Sequence, residues 1–377
     1  TLLDEEGVDL ERWREALASA PATGPFGEAT APAVLDRLAV LPRPVLVDLT
    51  AADGMEDVYE QAFRRGIQVV ASNKRPLVVQ ARRLEQLRLV RRQHHAHFHY
   101  ETAVGASLPV IGTLRRLIHA GDRIRVVEGS LSGTLGYLVT EIARGVPLSL
   151  AARWAMGLGY TEADPRDDLS GLDTARKALI LARELGAQLS IEDVRIEPFV
   201  PAALLAPGTP DDLLAGLRRG DAAASAEARR LAEQGKVMRY LARIAVEDGR
   251  VEVSVGPRAV DASHPAARLS GVEALVAFTT ARHPDRPLVV QGSGVGGANT
   301  AGGVLAEPEL SHQAAENSLP LQDAFAVMFF VSVGMLFDPS ILVREPWAVV
   351  AVLAVILFGK SLAAFIIVIG LGYPATT

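Results

Sequence analysis

Residues 159–177 read Gly159-Tyr-Thr-Glu162-Ala-Asp164-Pro165-Arg-Asp167-Asp168-Leu-Ser-Gly171-Leu-Asp173-Thr-Ala-Arg-Lys177. Glu162, Asp164, Asp167, Asp168 and Asp173 crowd a segment punctuated by proline and glycine, and the segment then enters a helix. Asp173 and Lys177 stand four residues apart, a spacing that puts two side chains on one helix face. A carboxylate and an ammonium therefore project together beside an acidic loop. Such a layout can grip a small zwitterionic substrate and hand it a proton. The helix is predicted over 172–185, burying Leu172, Ala175, Leu179 and Ala182 at helical spacing, with Gly186 as its C-cap.

Working outward, Val45–Thr50 is a short apolar strand, Glu56–Arg65 a compact helix with Val58, Ala62 and Phe63 inward, and Gly66–Ser72 a second buried strand. Strand, helix and strand with short connections read as a right-handed βαβ unit of a parallel sheet. Ligands of such sheets bind at the C-terminal strand ends, here Thr50-Ala51 and Ser72-Asn73-Lys74. Further on, 109–119 is helical, Arg123–Gly129 is a strand, and Ser130–Thr134 is a tight loop before a helix reaching about Gly145. The Ala- and Arg-rich stretch 202–235 reads as surface helix, and Arg239–Glu247 and Val251–Val255 as paired strands. Pro287–Gln291 leads into a glycine-rich turn at Gly292–Gly297, and no internal repeat is visible.

The length of 377 residues allows two or three domains, and a hydrophobic share of 49% suffices for packed cores. A net charge of −6 and a pI near 5.8 argue against a nucleic-acid surface. The absence of cysteine excludes disulfides, thiolate nucleophiles and Cys-ligated metals. Asp4, Glu5, Glu6 and Asp9 occupy the place of a signal peptide's basic and apolar regions, and a start at Thr1 suggests a fragment. The chain reads as a charged α/β protein up to about Glu307; from Leu319 on, charges nearly vanish. Two apolar runs, 324–337 and 347–373, read as a pair of membrane helices, the first slightly short of the roughly 20 residues needed to span.

Plainer readings stand beside these. Asp173 and Lys177 fit an ordinary surface ion pair. Glu162, Asp164, Asp167 and Asp168 could hold a divalent metal, although they lack the regular spacing of a calcium loop. His95, His97 and His99 fall on one strand face next to His94, which suggests zinc or simply a polar strand edge. Gly292–Gly297 is as readily a plain turn as a cofactor contact. Lys74 could be a solvated strand end, and Lys360 could snorkel from the second apolar run or mark an ion path.

Taken in order, Val47-Asp-Leu-Thr50, Ser72-Asn-Lys74, Tyr100-Glu-Thr-Ala-Val-Gly-Ala-Ser-Leu-Pro109, Leu131-Ser-Gly-Thr-Leu135, the 159–177 run and Gly292-Ser-Gly-Val-Gly296 resemble homoserine dehydrogenase. The likeness covers residues 1 to about 306 and is greatest to the dehydrogenase half of the bifunctional aspartokinase–homoserine dehydrogenases. It implies NAD(P)H-dependent interconversion of L-aspartate 4-semialdehyde and L-homoserine, a step of threonine and methionine biosynthesis. It also implies a cytoplasmic homodimer, paired through the substrate-domain sheet. By resemblance, Lys177 is the proton donor and Asp173 binds substrate and holds that lysine. Glu162 takes the α-ammonium, Gly159 and Thr134 line the pocket, and Asp168 supports it. Lys74 lies near cofactor and reacting centre, and Thr50, Ala51, Asn73 and Gly294 are nucleotide contacts. A monovalent-cation site (Na+ or K+) maps onto Glu101, Val104, Ala106 and Leu108.

The implied fold is α/β: an incomplete Rossmann-type nucleotide-binding domain over 1–103 and an α+β substrate and dimerisation domain over 104–290. Residues 291–306 return to the nucleotide-binding domain, and 309–377 form the tail of two hydrophobic helices. The family's opening strand, Gly-rich phosphate loop and helix have no counterpart after Thr1. The expectation is therefore weak cofactor binding and little or no activity, with NADP or NAD preference left open. The stretches 309–325 and Phe329–Pro339 resemble a cation:proton antiporter of the monovalent cation:proton antiporter-2 type. A membrane protein with a soluble domain fused ahead of it, or a chimeric gene product joined near 306–309, are the rival readings.

Overall fold

Helix α1 (Ala31–Leu38) precedes strand β1 (Val45–Asp48), helix α2 (Met55–Arg64) and strand β2 (Gln68–Ala71) in a computed structural model that describes residues 31–161, 164–205 and 208–307, with isolated positions 11, 12, 15, 18 and 347. β1 and β2 pair in parallel, Val45 opposite Gln68 and Asp48 opposite Ala71. After helix α3 (Ala81–Gln93), the two-residue strand β3 (Phe98–His99) adds in parallel beside β2. Short apolar runs suit a parallel sheet flanked by its crossover helices; β2 is buried from Val69 to Ala71, whereas Val47 of β1 stays exposed. α2 buries Tyr59, Ala62 and Phe63 rather than Val58, which stays half-buried. Tyr59 can go inside because its hydroxyl finds a buried partner in Asp48. Phe98 closes this core, with ring centroids 5.4 Å from Tyr59 and 5.7 Å from Phe63.

The histidine stretch departs from its expected strand face. α3 runs to Gln93, His94 closes it, and His95 turns through a left-handed φ of 51°, so only His99 reaches a strand. Among the described residues, no group of three or more His, Cys, Asp or Glu is placed to hold a metal ion.

Helix α4 (Val110–His119) leads into the second sheet through strand β4 (Ile124–Ser130). Helices α5 (Gly133–Ala143), α6 (Leu148–Gly157), α7 (Pro165–Leu169) and α8 (Leu172–Glu184) follow, then the short strand β5 (Arg195–Ile196). The stretch expected as surface helix resolves into α9 (Pro210–Arg218) and α10 (Asp221–Glu233), and Leu213, Leu214, Leu217 and Leu231 bury into the core. The hairpin of β6 (Lys236–Glu247) and β7 (Arg250–Asp261) is longer than the pair of strands expected, since β7 continues to Asp261. Strand β8 (Glu273–Thr280) was not legible: it is buried on both faces and so shows no alternation. Strand β9 (Leu288–Ser293) and helix α11 (Gly297–Leu305) come last among the described elements. The sheet runs β5-β7-β6-β4-β8-β9, all antiparallel except β5 beside β7.

α8 packs on β6 and β7, and α5 on β6 and β8. One continuous apolar core joins these helices to the α2–β2 layer. Contacts divide the chain into Thr1–Ser311 and His312–Thr377, and every element named belongs to the first. Glu162 and the tail 309–377 apart from Trp347, including Lys360 and both apolar runs, lie outside the described residues. Among the described residues no helix is long and apolar enough to cross a membrane.

Candidate functional site

α8 begins against β6. Gly171, its N-cap, holds a left-handed φ of 80°, and a Cβ there would fall 1.9 Å from the Tyr240 hydroxyl. That hydroxyl donates to the Glu197 carbonyl at 2.7 Å. Glycine is thus needed both for the backbone angle and for the approach. The first turn of α8 carries Asp173, where the helix dipole favours a negative charge, and Lys177 follows one turn later.

The Lys177 ammonium lies 2.8 Å from Asp173 Oδ2 and donates to the Leu131 carbonyl at 2.7 Å. Lys74, just past the end of β2, reaches Asp173 Oδ1 at 3.1 Å. All three side chains are mostly buried, with 14%, 13% and 26% of Lys177, Asp173 and Lys74 exposed. Burial pushes the Asp173 carboxyl up, but the two ammonium groups outweigh it and hold Asp173 well below the usual carboxylate range. The carboxylate is therefore fixed as an anion between two cations. An ammonium has three N–H groups; among the described residues two of Lys177's are engaged, which leaves one for a ligand.

Thr134, Gly159, Asp168, Asp173 and Lys177 surround one polar cavity of about 190 Å³. This lies below the span of about 300–1,000 Å³ typical of drug-sized ligands, so it suits a molecule the size of an amino acid. Thr134 Oγ1 sits 2.6 Å from the Tyr160 carbonyl and 3.1 Å from Asp168 Oδ1. Ser132 caps α5 by accepting from Leu135 N at 3.1 Å, and Asp164 caps α7 by accepting from Arg166 N. Val295 also lines the cavity, a placement that no local spacing announces. Its side chain occupies the space a Cβ on Gly133 would need, 2.1 Å from Val295 Cγ1. A larger cavity of about 290 Å³ lies between α10 and the β6–β7 hairpin, but its walls are chiefly apolar and it contains none of these residues.

At the ends of β1 and β2 the organiser is Asp48, 2% exposed and unnoticed in the sequence. It accepts from Thr50 N at 2.8 Å, Thr50 Oγ1 at 2.7 Å, Tyr59 OH at 2.5 Å and Asn73 Nδ2 at 3.1 Å. Burial raises its pKa, and these bonds more than reverse the effect, leaving it below the ordinary value. Asn73 also donates to the Ala52 carbonyl and accepts from Arg75 N, each at 3.0 Å. Thr50, Ala51, Asn73 and Lys74 therefore share the C-terminal rim of the sheet. Gly294 packs instead on β8, where a Cβ would meet Ala274 Cβ at 2.4 Å.

In the 101–108 loop, the Glu101 carboxylate caps α4, accepting from Ile111 N and Gly112 N at 2.7 Å each. Burial nonetheless pushes Glu101 above the usual range. Gly105 and Ala106 turn through positive φ of 89° and 56°. The Glu101 and Leu108 carbonyls accept from Val104 N and Val110 N, whereas those of Val104 and Ala106 take no such bond in this loop.

Comparison with known proteins places these features in context. Residues 109–307 match the family model of homoserine dehydrogenase, and residues 3–101 the model of its NAD-binding domain. Residues 289–377 match the transmembrane sodium/hydrogen exchanger model. The chain is 36% identical to homoserine dehydrogenase of Emericella nidulans, covering 80% of this chain and 84% of that one. It is 38% identical to the chloroplastic bifunctional aspartokinase/homoserine dehydrogenase 1 of Zea mays, covering 81% of this chain and 33% of that one. The chain thus spans about a third of the bifunctional relatives. Among solved structures, a Candida auris protein of unknown function superposes with a TM-score of 0.72 at 31% identity, covering 81% of this chain and 85% of that one.

Proposed function

The chain belongs to the homoserine dehydrogenase family, and from that premise we propose that it interconverts L-aspartate 4-semialdehyde and L-homoserine with NAD(P)H. The observation that carries the proposal is the Lys74–Asp173–Lys177 constellation beside a cavity of amino-acid size. A nicotinamide nucleotide, when bound, supplies the hydride. Thr50, Ala51, Asn73 and Lys74 would hold it on the strand-end rim that Asp48 organises, with Gly294 as a further contact. The Val45–Ala71 unit fits such a ligand, because its polar groups gather at the C-terminal ends of parallel strands.

The remaining needs fall to this chain's side chains. Lys177 donates the proton to the substrate's carbonyl oxygen through its free N–H, and takes it back in the reverse direction. Asp173 holds that ammonium in place and binds substrate, with Gly159 and Thr134 as pocket walls and Asp168 behind Thr134. Glu162 takes the substrate's α-ammonium. The proposal extends to a monovalent cation, Na+ or K+, on Glu101, Val104, Ala106 and Leu108. It also extends to a cytoplasmic homodimer built through the six-stranded sheet, whose edge strand β9 leaves Leu288 and Val289 exposed.

The test is NADPH oxidation by the purified full chain with aspartate semialdehyde. Turnover that requires the semialdehyde and disappears in Lys177→Met supports the reading; NADPH binding without turnover by the unmutated chain overturns it. A second reading concerns the tail. The exchanger match, which runs from 289 to 377, favours descent of 309–377 from a cation:proton antiporter of the monovalent cation:proton antiporter-2 type, joined to the dehydrogenase as a fusion or chimera. Long-read sequencing across codons 300–315 decides it: an unbroken frame supports a true fusion, and two separate genes reduce the tail to a joining artefact.

A further inference from the structure

The C-terminal half of α8 buries a second charge, and it has a different kind of partner. Arg183 is 3% exposed. Its Nη1 donates to the Leu77 carbonyl at 2.7 Å and its Nη2 to the Val79 carbonyl at 2.7 Å. Nε and Nη2 both reach the Leu189 carbonyl, at 3.0 and 2.7 Å. Among the described residues it forms no salt bridge, and burial pushes its pKa down to about 10. Burying a guanidinium against carbonyls alone forfeits the Coulombic return that usually offsets desolvation. A leucine or methionine would glue two elements together with less penalty. What only a guanidinium offers is a rigid planar fork of donors able to fix several carbonyls at once.

Two of those carbonyls are informative. Leu77 ends the single turn Arg75–Leu77, whose N-cap is Lys74, and Leu77 N donates back to the Lys74 carbonyl at 3.0 Å. Lys74 meets Asp173 near the start of α8. Arg183 lies nearly three turns further along the same helix, on the order of 15 Å at 1.5 Å per residue. α8 therefore grips the stretch 74–79 at both ends: by an ion pair at Lys74, and by the guanidinium at Leu77 and Val79.

We propose that Arg183 is a positioning residue, which sets how far the exit of β2 lies along α8 so that the Lys74 ammonium falls on Asp173. The inference rests on reading Lys74, Asp173 and Lys177 as the working site. It is tested first without catalysis. An amine-reactive ester is applied to the full chain and to Arg183→Met and Arg183→Lys, and label at Lys74 and Lys177 is counted by mass spectrometry. Labelling at Lys74 is expected to rise several-fold in both variants, with Lys177 unchanged as the internal control. Where Arg183→Met does not fold, Arg183→Lys keeps a donor and carries the test.

In turnover, Arg183→Lys should lower kcat about tenfold with the KM for homoserine nearly unmoved, and cost nothing further in a Lys74→Met background, since residues acting through one contact are not additive. Unchanged Lys74 labelling overturns the proposal, as does a loss that simply multiplies that of Lys74→Met. A chain with no dehydrogenase activity would count against the proposed reaction, and the labelling would still decide the role of Arg183.

Discussion

The start of α8 and the loop 101–108 each bury a carboxylate, and the two meet opposite fates. Asp173 lies between two ammonium groups and stays an anion far into acid. Glu101 accepts two backbone N–H bonds at the start of α4 and is still pushed upward, because burial and the Glu307 carboxylate outweigh those bonds and the pull of Arg115. Dipoles at a helix N-terminus supply only a fraction of a unit charge, whereas two lysines supply two. The difference teaches that two contacting ammonium groups outweigh burial where backbone dipoles do not; a cation bound in the Glu101 loop, as proposed above, would add the charge that is short there.

The comparison can be broken at several points. The largest expected effect is on catalysis: Lys177→Met should lower kcat about a thousandfold, the middle of the range for a lost general acid, while NADPH binding measured by fluorescence stays near its original strength. Asp173→Asn should cost about 3 kcal/mol in urea unfolding at pH 7, because it leaves two mostly buried ammonium groups without their anion. The sign of its pH dependence follows from the depressed folded pKa. The carboxylate's contribution is present above the unfolded value of about 3.9 and is lost only as pH falls toward the folded one. The gap between original and variant should thus persist at pH 5 and narrow in stronger acid.

Gly171→Ala should cost about 2 kcal/mol by combining a left-handed alanine with a clash at the Tyr240 hydroxyl. A midpoint of urea unfolding equal to that of the original chain would sink the idea that the start of α8 is set there. The smallest effect sharpens the other side. Potassium chloride, against choline chloride, should raise Tm at pH 7 by the equivalent of about 1 kcal/mol or less through ligand linkage. Glu101, with a raised folded pKa, adds stability below its unfolded pKa and loses it as pH rises through the folded one. The potassium effect should accordingly fade in acid, and an equal rise at pH 4 would argue against a cation near Glu101.

The sequence made Asp173 and Lys177 legible because helix periodicity is local: four residues decide that two side chains share a face. Lys74 became a partner of Asp173 only through tertiary packing, which no spacing encodes. Asp48 sat in plain view at the end of Val45-Leu-Val-Asp, yet its role depends on Tyr59 turning inward in place of Val58. β8 escaped notice because burial on both faces erases the period that marks a strand. The histidine stretch misled for the converse reason: alternation was present, but a left-handed turn at His95 interrupts the extended backbone it would require. Backbone carbonyls such as those of Val104 and Ala106 leave no trace in residue identity, so their part rested on family likeness alone.

The position of Val295 has a temporal consequence. The cavity's other walls are encoded between Ser132 and Lys177, and Val295 reaches Gly133 only after the whole β6–β9 region has been made. During synthesis, which proceeds from the N-terminus, the pocket stays open on one side until Val295 has left the ribosome. Ribosome-bound intermediates that stop short of residue 295 hold Asp173 and Lys177 in an unfinished cup, so ligand binding is among the last properties the nascent chain acquires.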